Sequence, residues 1–230
     1  MFFDPLYMVV MGVGMALALG AQFWVKSSFR RWSKVGMARG MTGRDVAEAI
    51  LRANGISDVV VEPTGGFLTD HYHPGIKRLR LSQDNYYGAS VAAAGIAAHE
   101  VGHAIQHAQG YKPMRFRQQL VPVANIGTNV GMIMVIAGAA IGAMGLAQVG
   151  VFVFAGFVLF TLVTLPVEFD ASARAMRSLD AMGILSRQEM SGVRAVLTAA
   201  AATYVAAAVD AILKLLYFAM RAGLLGGRRD

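Results

Sequence analysis

The charged residues divide the chain into long apolar stretches and one polar region. The first apolar stretch runs from Pro5 to Val25 without a charge, and a helix of that length rises just over the roughly 30 Å hydrocarbon thickness of a bilayer. Asp4 precedes it and basic residues beginning with Lys26 follow it, which is not the order found in a cleaved signal peptide. Residues 5–25 are therefore predicted to be an uncleaved transmembrane anchor whose C-terminal end lies in the cytoplasm.

A second apolar stretch of fifty residues without a charge separates Arg117 from Glu168. This is too long for one span and suits two, so residues 118–167 are predicted to form a transmembrane hairpin with a tight turn near residues 147–150. Basic residues flank both outer ends, which places both ends in the cytoplasm. Glycines recur on the first arm, either because they allow close helix packing or because glycine is common in such helices: Gly127, Gly131, Gly138 and Gly142.

The chain after the hairpin is predicted to contain two further helices. Residues 168–194 form the first, and the alanine-rich, apolar residues 195–220 form the second. Asp210 and Lys214 lie in the second at an i,i+4 spacing. An ion pair inside a membrane span has a cost, so two interpretations stay open: a fourth span, or a helix that lies at the interface or packs on the polar region.

Residues 26–117 are the most polar part of the chain and contain two predicted helices. Thr42 is a suitable N-cap for a helix over residues 43–53, and the glycine after Asn54 would end it. An alanine-rich helix is predicted from about Ser90 to Gln109, with a glycine directly after it.

Two strands are predicted between these helices. Val59–Val61 is the first, and the Pro63–Gly66 turn signal would close it. The alternation of basic residues and leucines over Lys77–Ser82 predicts the second, with leucines on one face and arginines on the other. The polar region is therefore predicted to be a small α+β part.

The composition supports a membrane protein and limits its chemistry. With 56% hydrophobic residues, 15% charged residues and a mean hydropathy of +0.50, the chain is too apolar for an ordinary soluble domain or for intrinsic disorder. The net charge of +7 comes from basic residues beside the apolar segments, and we interpret it as a topology signal, with no nucleic acid as partner. Cysteine is absent, which leaves histidine and carboxylate as strong ligands for a transition metal.

The alanine-rich helix contains the spacing His-Glu-x-x-His at residues 99–103. Residues four apart on a helix lie about 6 Å apart along its axis on nearly the same face, so His99 and His103 can direct their rings to one metal ion. Glu100 lies beside that face, where it could take a proton from a metal-bound water and return it to a leaving amine. This ligand set suits zinc, which keeps a fourth position for water.

A catalytic site of this type needs a third protein ligand, and two residues are candidates. His107 lies one turn beyond His103, but a straight helix places it about 6 Å too far along the axis. Glu168 is the first charge after the hairpin, where the chain returns to the cytoplasmic surface and Pro166 can start a helix. We prefer Glu168 as the ligand; the alternative is an acid that merely stabilises a helix N-terminus.

Several segments beyond the motif carry a joint resemblance to a known family. They are Thr69-Asp70-His71-Tyr72, Leu79-Arg80-Leu81-Ser82, Ser90-Val91-Ala92-Ala93, residues 97–106 and residues 165–172. In these segments, and over nearly the whole chain, the sequence resembles the bacterial neutral zinc metallopeptidases of the YugP type.

The resemblance implies a membrane-embedded peptidase of the gluzincin kind, similar in layout to the HtpX-type membrane proteases. It implies one zinc ion per chain, bound by His99, His103 and Glu168, with Glu100 as the general base.

The resemblance also concerns the residues that support the ligands. Relatives commonly have an acidic residue four positions after the ligand glutamate, and this chain has Ser172 there. The supporting role is open between Ser172 and Asp170. His107 is then expected near the ligands or on the surface.

Two features before the motif helix have a functional and a structural interpretation. His71 or Tyr72 could stabilise the oxyanion of the tetrahedral intermediate, or Asp70 could simply hold a turn there. The strand residues are either an edge strand that binds an extended substrate by β-augmentation or an ordinary paired strand: Leu79, Arg80, Leu81 and Ser82.

We therefore expect a mainly α fold, with integral membrane helices and a small α+β, zincin-like catalytic part at the membrane surface. The expected function is that of a zinc metalloendopeptidase acting on peptide or protein substrates, membrane proteins among them. The protein is expected to be multi-pass in the bacterial inner membrane, with its N-terminus outside and its active site on the cytoplasmic side.

Two other function classes compete with this expectation. The first is a non-catalytic membrane scaffold or chaperone-partner subunit with a structural or vestigial metal site; Glu100 argues against it, because a structural site has no use for a base. The second is a channel or transporter, which the small number of ionisable residues inside the spans disfavours.

Overall fold

The structure is a computed structural model that describes residues 4–225. It is mainly helical with one small sheet, which confirms the predicted fold class. The helices are α1 (Pro5–Trp32), α2 (Gly43–Ala53), α3 (Gln83–Tyr86), α4 (Val91–Ala108), α5 (Lys112–Ile126), α6 (Met132–Ala140), α7 (Met144–Met182) and α8 (Arg187–Arg221). The strands are β1 (Val60–Thr64), β2 (His71–His73) and β3 (Arg78–Ser82).

The chain divides into two compact units. The first contains the residues up to Ala21, Arg115–Pro166 and the residues from Thr203 onward, and it consists of apolar helices. The second contains Gln22–Met114 and Val167–Ala202, and it holds the sheet.

Four helices in residues 4–225 are long and apolar enough to cross a membrane. The second of them is α5 joined to α6 through a π-helical turn at Gly127–Gly131. The predicted anchor lies in α1, and α8, which contains residues 195–220, is the fourth candidate span. Large apolar side chains of α1 such as Met8, Val9 and Phe23 are exposed, as expected for a helix in contact with lipid.

The turn between the two arms of the hairpin lies earlier than predicted. Helix α6 ends at Ala140 and α7 begins at Met144, so residues 147–150 lie inside α7. The prediction is wrong because Gly142 has a φ of 74°, a conformation that glycine adopts readily, and it decides the place of the turn. Gln148, the polar residue at the expected turn, instead donates a hydrogen bond to the carbonyl of Ala222 at 3.0 Å.

Three glycines bring the two arms of the hairpin close together. A Cβ atom at Gly131 would lie 2.7 Å from the backbone nitrogen of Phe154, and one at Gly138 would lie 2.5 Å from that of Ala147. Gly127 lies similarly close to the backbone of α7. The close-packing interpretation of these three glycines is confirmed, since any side chain here would force the helices apart.

Helices α1 and α8 run antiparallel beside each other in the first unit. The hydroxyl of Tyr217 donates to Asp4 at 3.0 Å near one end of the pair. Further along, the carboxylate of Asp210 occupies the place that a side chain at Gly14 would take. Lys214 pairs with Asp210 at 2.6 Å, so the two charges of α8 neutralise each other.

In the second unit, β3 is the central strand of the sheet. It is parallel to β1 and antiparallel to β2. The interpretation of Leu79, Arg80, Leu81 and Ser82 as a substrate-binding edge strand is therefore wrong, because β3 has a paired strand on each side. Strand β2 was not predicted, since its three residues are too few to show a periodicity.

The two faces of β3 have the predicted character. Leu79 and Leu81 are fully buried. On the other face, Nε of Arg80 donates to Glu62 at 2.7 Å, and Arg78 pairs with the same carboxylate. The leucines thus anchor the sheet to the core while the arginines face solvent.

Helix α2 has the predicted bounds and packs against α4. The Thr42 hydroxyl accepts a hydrogen bond from the Asp45 backbone at 3.2 Å, and the Asp45 carboxylate accepts one from the Thr42 backbone at 2.9 Å, a reciprocal capping box. Its apolar face, which includes Val46 and Ile50, is fully buried.

Helix α4 also agrees with the prediction. The Ser90 hydroxyl accepts from the Ala93 backbone at 3.2 Å at its start, and Gly110 follows its end with a φ of 64°. Most of its side chains are small and buried, so neighbouring elements surround it closely.

Helix α7 runs unbroken from Met144 to Met182, so no helix begins at Pro166 as was predicted. Proline usually breaks a helix, but it is tolerated inside membrane helices where neighbouring groups satisfy the freed carbonyl. The break comes at Gly183, with a φ of 57°. Ser186 then caps α8: its hydroxyl accepts from the Glu189 backbone at 3.2 Å, and the Glu189 carboxylate accepts from its backbone at 2.6 Å.

Candidate metal centre

Two histidines of α4 and one glutamate of α7 converge in the second unit. The Nε2 atoms of His99 and His103 lie 3.3 Å and 3.4 Å from Oε2 of Glu168. One ligand atom from each of the three side chains lies within 4.8 Å of the other two. Within the described part of the chain, these three residues form a group that could hold a metal ion.

The two distances fit the edges of a tetrahedral metal site. Bonds of about 2.0–2.1 Å from zinc to nitrogen or oxygen set the ligand atoms roughly 3.3 Å apart, which is the separation of Glu168 from each histidine nitrogen. Charge-assisted hydrogen bonds are shorter, about 2.7–2.9 Å. Two imidazoles and a carboxylate are also the donor set of catalytic zinc sites that keep one position open. The residues present therefore fit zinc.

The electrostatics of the site also favour a cation. Glu168 and His103 are only 2% and 8% exposed. Burial by itself would lower the pKa of His103, but the neighbouring carboxylates of Glu168 and Glu100 raise the pKa above its ordinary value. The buried carboxylates thus create a demand for positive charge. A divalent cation bound by these side chains would meet it.

Gly102 explains how close the two helices come at the site. A Cβ atom at this position would lie 3.0 Å from the carbonyl carbon of Ala171 and 3.1 Å from its Cα. The backbone of α7 therefore lies directly on α4 at this point, and Glu168, one turn before Ala171, faces the histidines.

Glu100 is buried beside the two histidines. Burial raises the pKa of its carboxyl above the ordinary value; the neighbouring His99 and His103 oppose this effect, and Glu168 adds to it. A carboxyl with a raised pKa can take up a proton from water and release it again.

The support of His99 comes from Ser172. Nδ1 of His99 lies 3.1 Å from Oγ of Ser172. A hydroxyl can donate or accept, so Ser172 can hold the imidazole ring without a charge.

The support of His103 involves a residue that sequence analysis missed. Nδ1 of His103 lies 3.0 Å from Oε1 of Gln106, and the amide nitrogen of Gln106 donates to Asp170 at 2.9 Å. Asp170 thus reaches the histidine through Gln106. The available signal was the position of Gln106 three residues after His103 on the same helix, within a segment that carried the resemblance.

His107 is not one of the three converging residues. Its Nδ1 is 2.8 Å from the hydroxyl of Tyr72, and both residues line a cavity of about 400 Å³. Burial and the charge of Asp58 raise the pKa of Tyr72 to about 12, so this tyrosine stays protonated. Tyr72 therefore holds β2 to α4 and does not point its hydroxyl at the candidate metal centre.

His71 lies beside Tyr72 on β2, on the opposite face because side chains alternate along a strand. Its Nδ1 is 2.8 Å from the carbonyl oxygen of Thr69. A carbonyl only accepts, so Nδ1 carries the proton, and a neutral His71 presents an unprotonated Nε2. His71 is not one of the three residues that converge.

Asp70 holds the loop before β2. Its carboxylate accepts hydrogen bonds from the Ser82 backbone at 2.8 Å and from the Asn85 amide at 2.9 Å. These bonds support the structural interpretation of this motif, a segment fixed by Asp70, and they connect it to the end of the central strand.

Comparison with known proteins agrees with the geometry. Residues 7–223 match the model of a family described as "Putative neutral zinc metallopeptidase". The chain is also 44% identical over 206 residues to the "Putative membrane protease YugP" of Bacillus subtilis (strain 168). The aligned region covers 90% of this chain and 92% of that protein. No solved structure shows a significant match. Because the family model matches nearly the full length of the chain and this relative is 44% identical to it, the chain belongs to that metallopeptidase family.

Proposed function

We propose that the protein is an integral membrane zinc metalloendopeptidase of the gluzincin type. The observation that carries the proposal is the convergence of His99, His103 and Glu168 in a buried site with Glu100 directly beside them. A purely structural metal site would not need a carboxylate next to its ligands. The match to a metallopeptidase family supports the same conclusion.

In this proposal each residue has a defined role. His99, His103 and Glu168 would hold one zinc ion, which when bound would polarise the scissile carbonyl and lower the pKa of a water molecule. Glu100 takes the proton from the attacking water and then transfers it to the leaving amine. Its burial matters, because a carboxyl with a raised pKa holds the proton more readily between its removal from water and its transfer to the amine.

The membrane topology determines which substrates can reach the site. The basic residues after α1 and on both sides of the hairpin support a topology in a bacterial inner membrane with the metal-binding residues on the cytoplasmic side and the N-terminus outside. The substrates would be peptide segments of cytoplasmic or membrane proteins that reach this side. The apolar helices then hold the enzyme at the bilayer surface.

The experiment is to measure zinc content by mass spectrometry in detergent-purified protein and to follow the cleavage of fluorescent casein. The variants are Glu168→Ala, and His107→Ala as a matched control on α4. We expect one zinc per chain and chelator-sensitive cleavage in the wild type. Both should be lost in Glu168→Ala and kept in His107→Ala.

Two results would contradict the proposal. A wild-type protein without zinc would favour the non-catalytic membrane scaffold. Zinc retained in Glu168→Ala but lost in His107→Ala would identify His107, and not Glu168, as the third ligand.

A further inference from the structure

Gln106 is a fully buried polar side chain beside the candidate metal centre. Its amide nitrogen donates two hydrogen bonds, to the carbonyl of Val167 at 2.8 Å and to the carboxylate of Asp170 at 2.9 Å. Its amide oxygen lies 3.0 Å from Nδ1 of His103. Both N–H groups and the oxygen of this amide are therefore engaged by neighbouring groups.

These partners leave the amide only one orientation. A backbone carbonyl and a carboxylate can only accept hydrogen bonds, so the NH₂ group of Gln106 must face Val167 and Asp170. The reverse orientation would place the amide oxygen against two acceptors and lose both bonds. The oxygen of Gln106 must then face His103.

The fixed oxygen in turn selects the tautomer of His103. An amide oxygen only accepts, so Nδ1 of His103 must carry a proton. In a neutral imidazole the proton at Nδ1 leaves Nε2 with a free lone pair. Nε2 is the atom that lies 3.4 Å from Glu168, on the side where the metal would bind.

The orientation of Asp170 is itself held by Arg174. Nε of Arg174 donates to the same carboxylate oxygen at 2.5 Å, and its Nη1 donates to Gln109 at 2.5 Å. The guanidinium also lies over the ring of Tyr111, 5.5 Å from its centroid. An arginine fixed at three points gives Asp170 little freedom to turn away from Gln106.

We propose that Gln106 is a positioning residue that keeps His103 in the tautomer able to bind metal through Nε2. Asp170, held by Arg174, sets the orientation of Gln106. The inference rests on the proposed zinc site and adds to it a residue outside the His-Glu-x-x-His motif. Ser172 has no such effect on His99, because its hydroxyl can serve either tautomer.

The test is the zinc affinity of purified protein, measured by competition with a chelator, with thermal unfolding of the zinc-free proteins as a check of the fold. Gln106→Met keeps the size of the side chain and removes both functions of the amide. Gln106→Glu keeps an acceptor towards His103 but opposes the Asp170 carboxylate. We expect each to weaken zinc binding by about 10- to 100-fold, as is typical for the supporting partners of metal ligands.

A paired variant separates positioning from packing. In Gln106→Glu with Asp170→Asn, the new amide can donate to the new carboxylate and the two carboxylates no longer oppose each other, so we expect tighter zinc binding than in Gln106→Glu alone. The affinity should stay below that of the wild type, because the carbonyl of Val167 still loses its donor. Ser172→Ala should weaken zinc binding less than Gln106→Met.

The inference would be overturned by wild-type zinc affinity in Gln106→Met, or by a paired variant no better than Gln106→Glu alone. A wild-type protein that binds no zinc would instead overturn the proposed function itself.

Discussion

Gly102 of α4 lies directly against the backbone of Ala171 in α7. A Cβ atom at Gly102 would come within 3.0 Å of the carbonyl carbon of Ala171, closer than carbon atoms normally pack. Glu168 stands one turn before Ala171, so this contact sets the distance between its carboxylate and the two histidines of α4. The candidate metal centre thus depends on a residue that has no functional group.

Gly102→Ala should therefore weaken the metal centre without changing any ligand. The new methyl group must push α7 away from α4, and we expect zinc affinity to fall at least tenfold and the free energy of unfolding to fall by about 1–3 kcal/mol, as is typical for overpacking. Chelator competition and thermal unfolding measure the two effects. Gly20→Ala in α1 is the control, because no atom lies within 4 Å of a Cβ there; equal effects in both variants would contradict the prediction.

Glu100→Gln should separate catalysis from metal binding. The amide has nearly the same shape as the carboxylate but cannot take up the proton of water, and we expect turnover to fall by about 10²–10⁴-fold. Zinc content should stay at one per chain, because Glu100 is not among the three converging ligands. Casein cleavage and mass spectrometry provide both readouts, and turnover close to that of the wild type would show that another group is the base.

Tyr72→Phe should lower stability without affecting zinc. The substitution removes the 2.8 Å hydrogen bond to His107, and we expect a loss of about 1 kcal/mol in the free energy of unfolding. His107→Ala combined with Tyr72→Phe should cost less than the sum of the two single changes, because both remove the same bond. Loss of zinc in Tyr72→Phe would show that β2 also positions the metal centre.

The ion pair of α8 offers a test inside the apolar unit. Lys214→Met leaves the carboxylate of Asp210 uncompensated between α8 and Gly14 of α1, and an unpaired charge inside a membrane helix is costly. We expect this variant to unfold at a lower temperature than the double variant Asp210→Asn with Lys214→Met, which removes both charges. Unfolding in detergent measures the difference, and a double variant no more stable than Lys214→Met would contradict the prediction.

Features encoded by short segments could be predicted from the sequence. The capping residues Thr42 and Ser90 mark where α2 and α4 begin, and charge-free stretches identify apolar helices long enough to span a membrane. The spacing of His99 and His103 is a helical property, so two of the three converging residues and Glu100 beside them follow from five consecutive positions. Glu168 was expected because its place after the hairpin brings a carboxylate back to the side of α4.

What the tertiary structure decided depends on contacts between segments distant in the chain. The central place of β3 results from pairing with β1 and β2, and no local pattern encodes which strands pair. Helix α7 continues through Pro166 although the residue itself favours a break, and Gly142 rather than residues 147–150 makes the turn. The role of Gln106 is visible only because α7 brings Val167 and Asp170 against its amide. The sequence alone thus determined the bounds of α2 and α4 and the metal-binding motif, since these depend on neighbouring residues. Only the tertiary structure decided the strand order and the groups that orient His103, since these depend on which distant backbones and side chains approach one another.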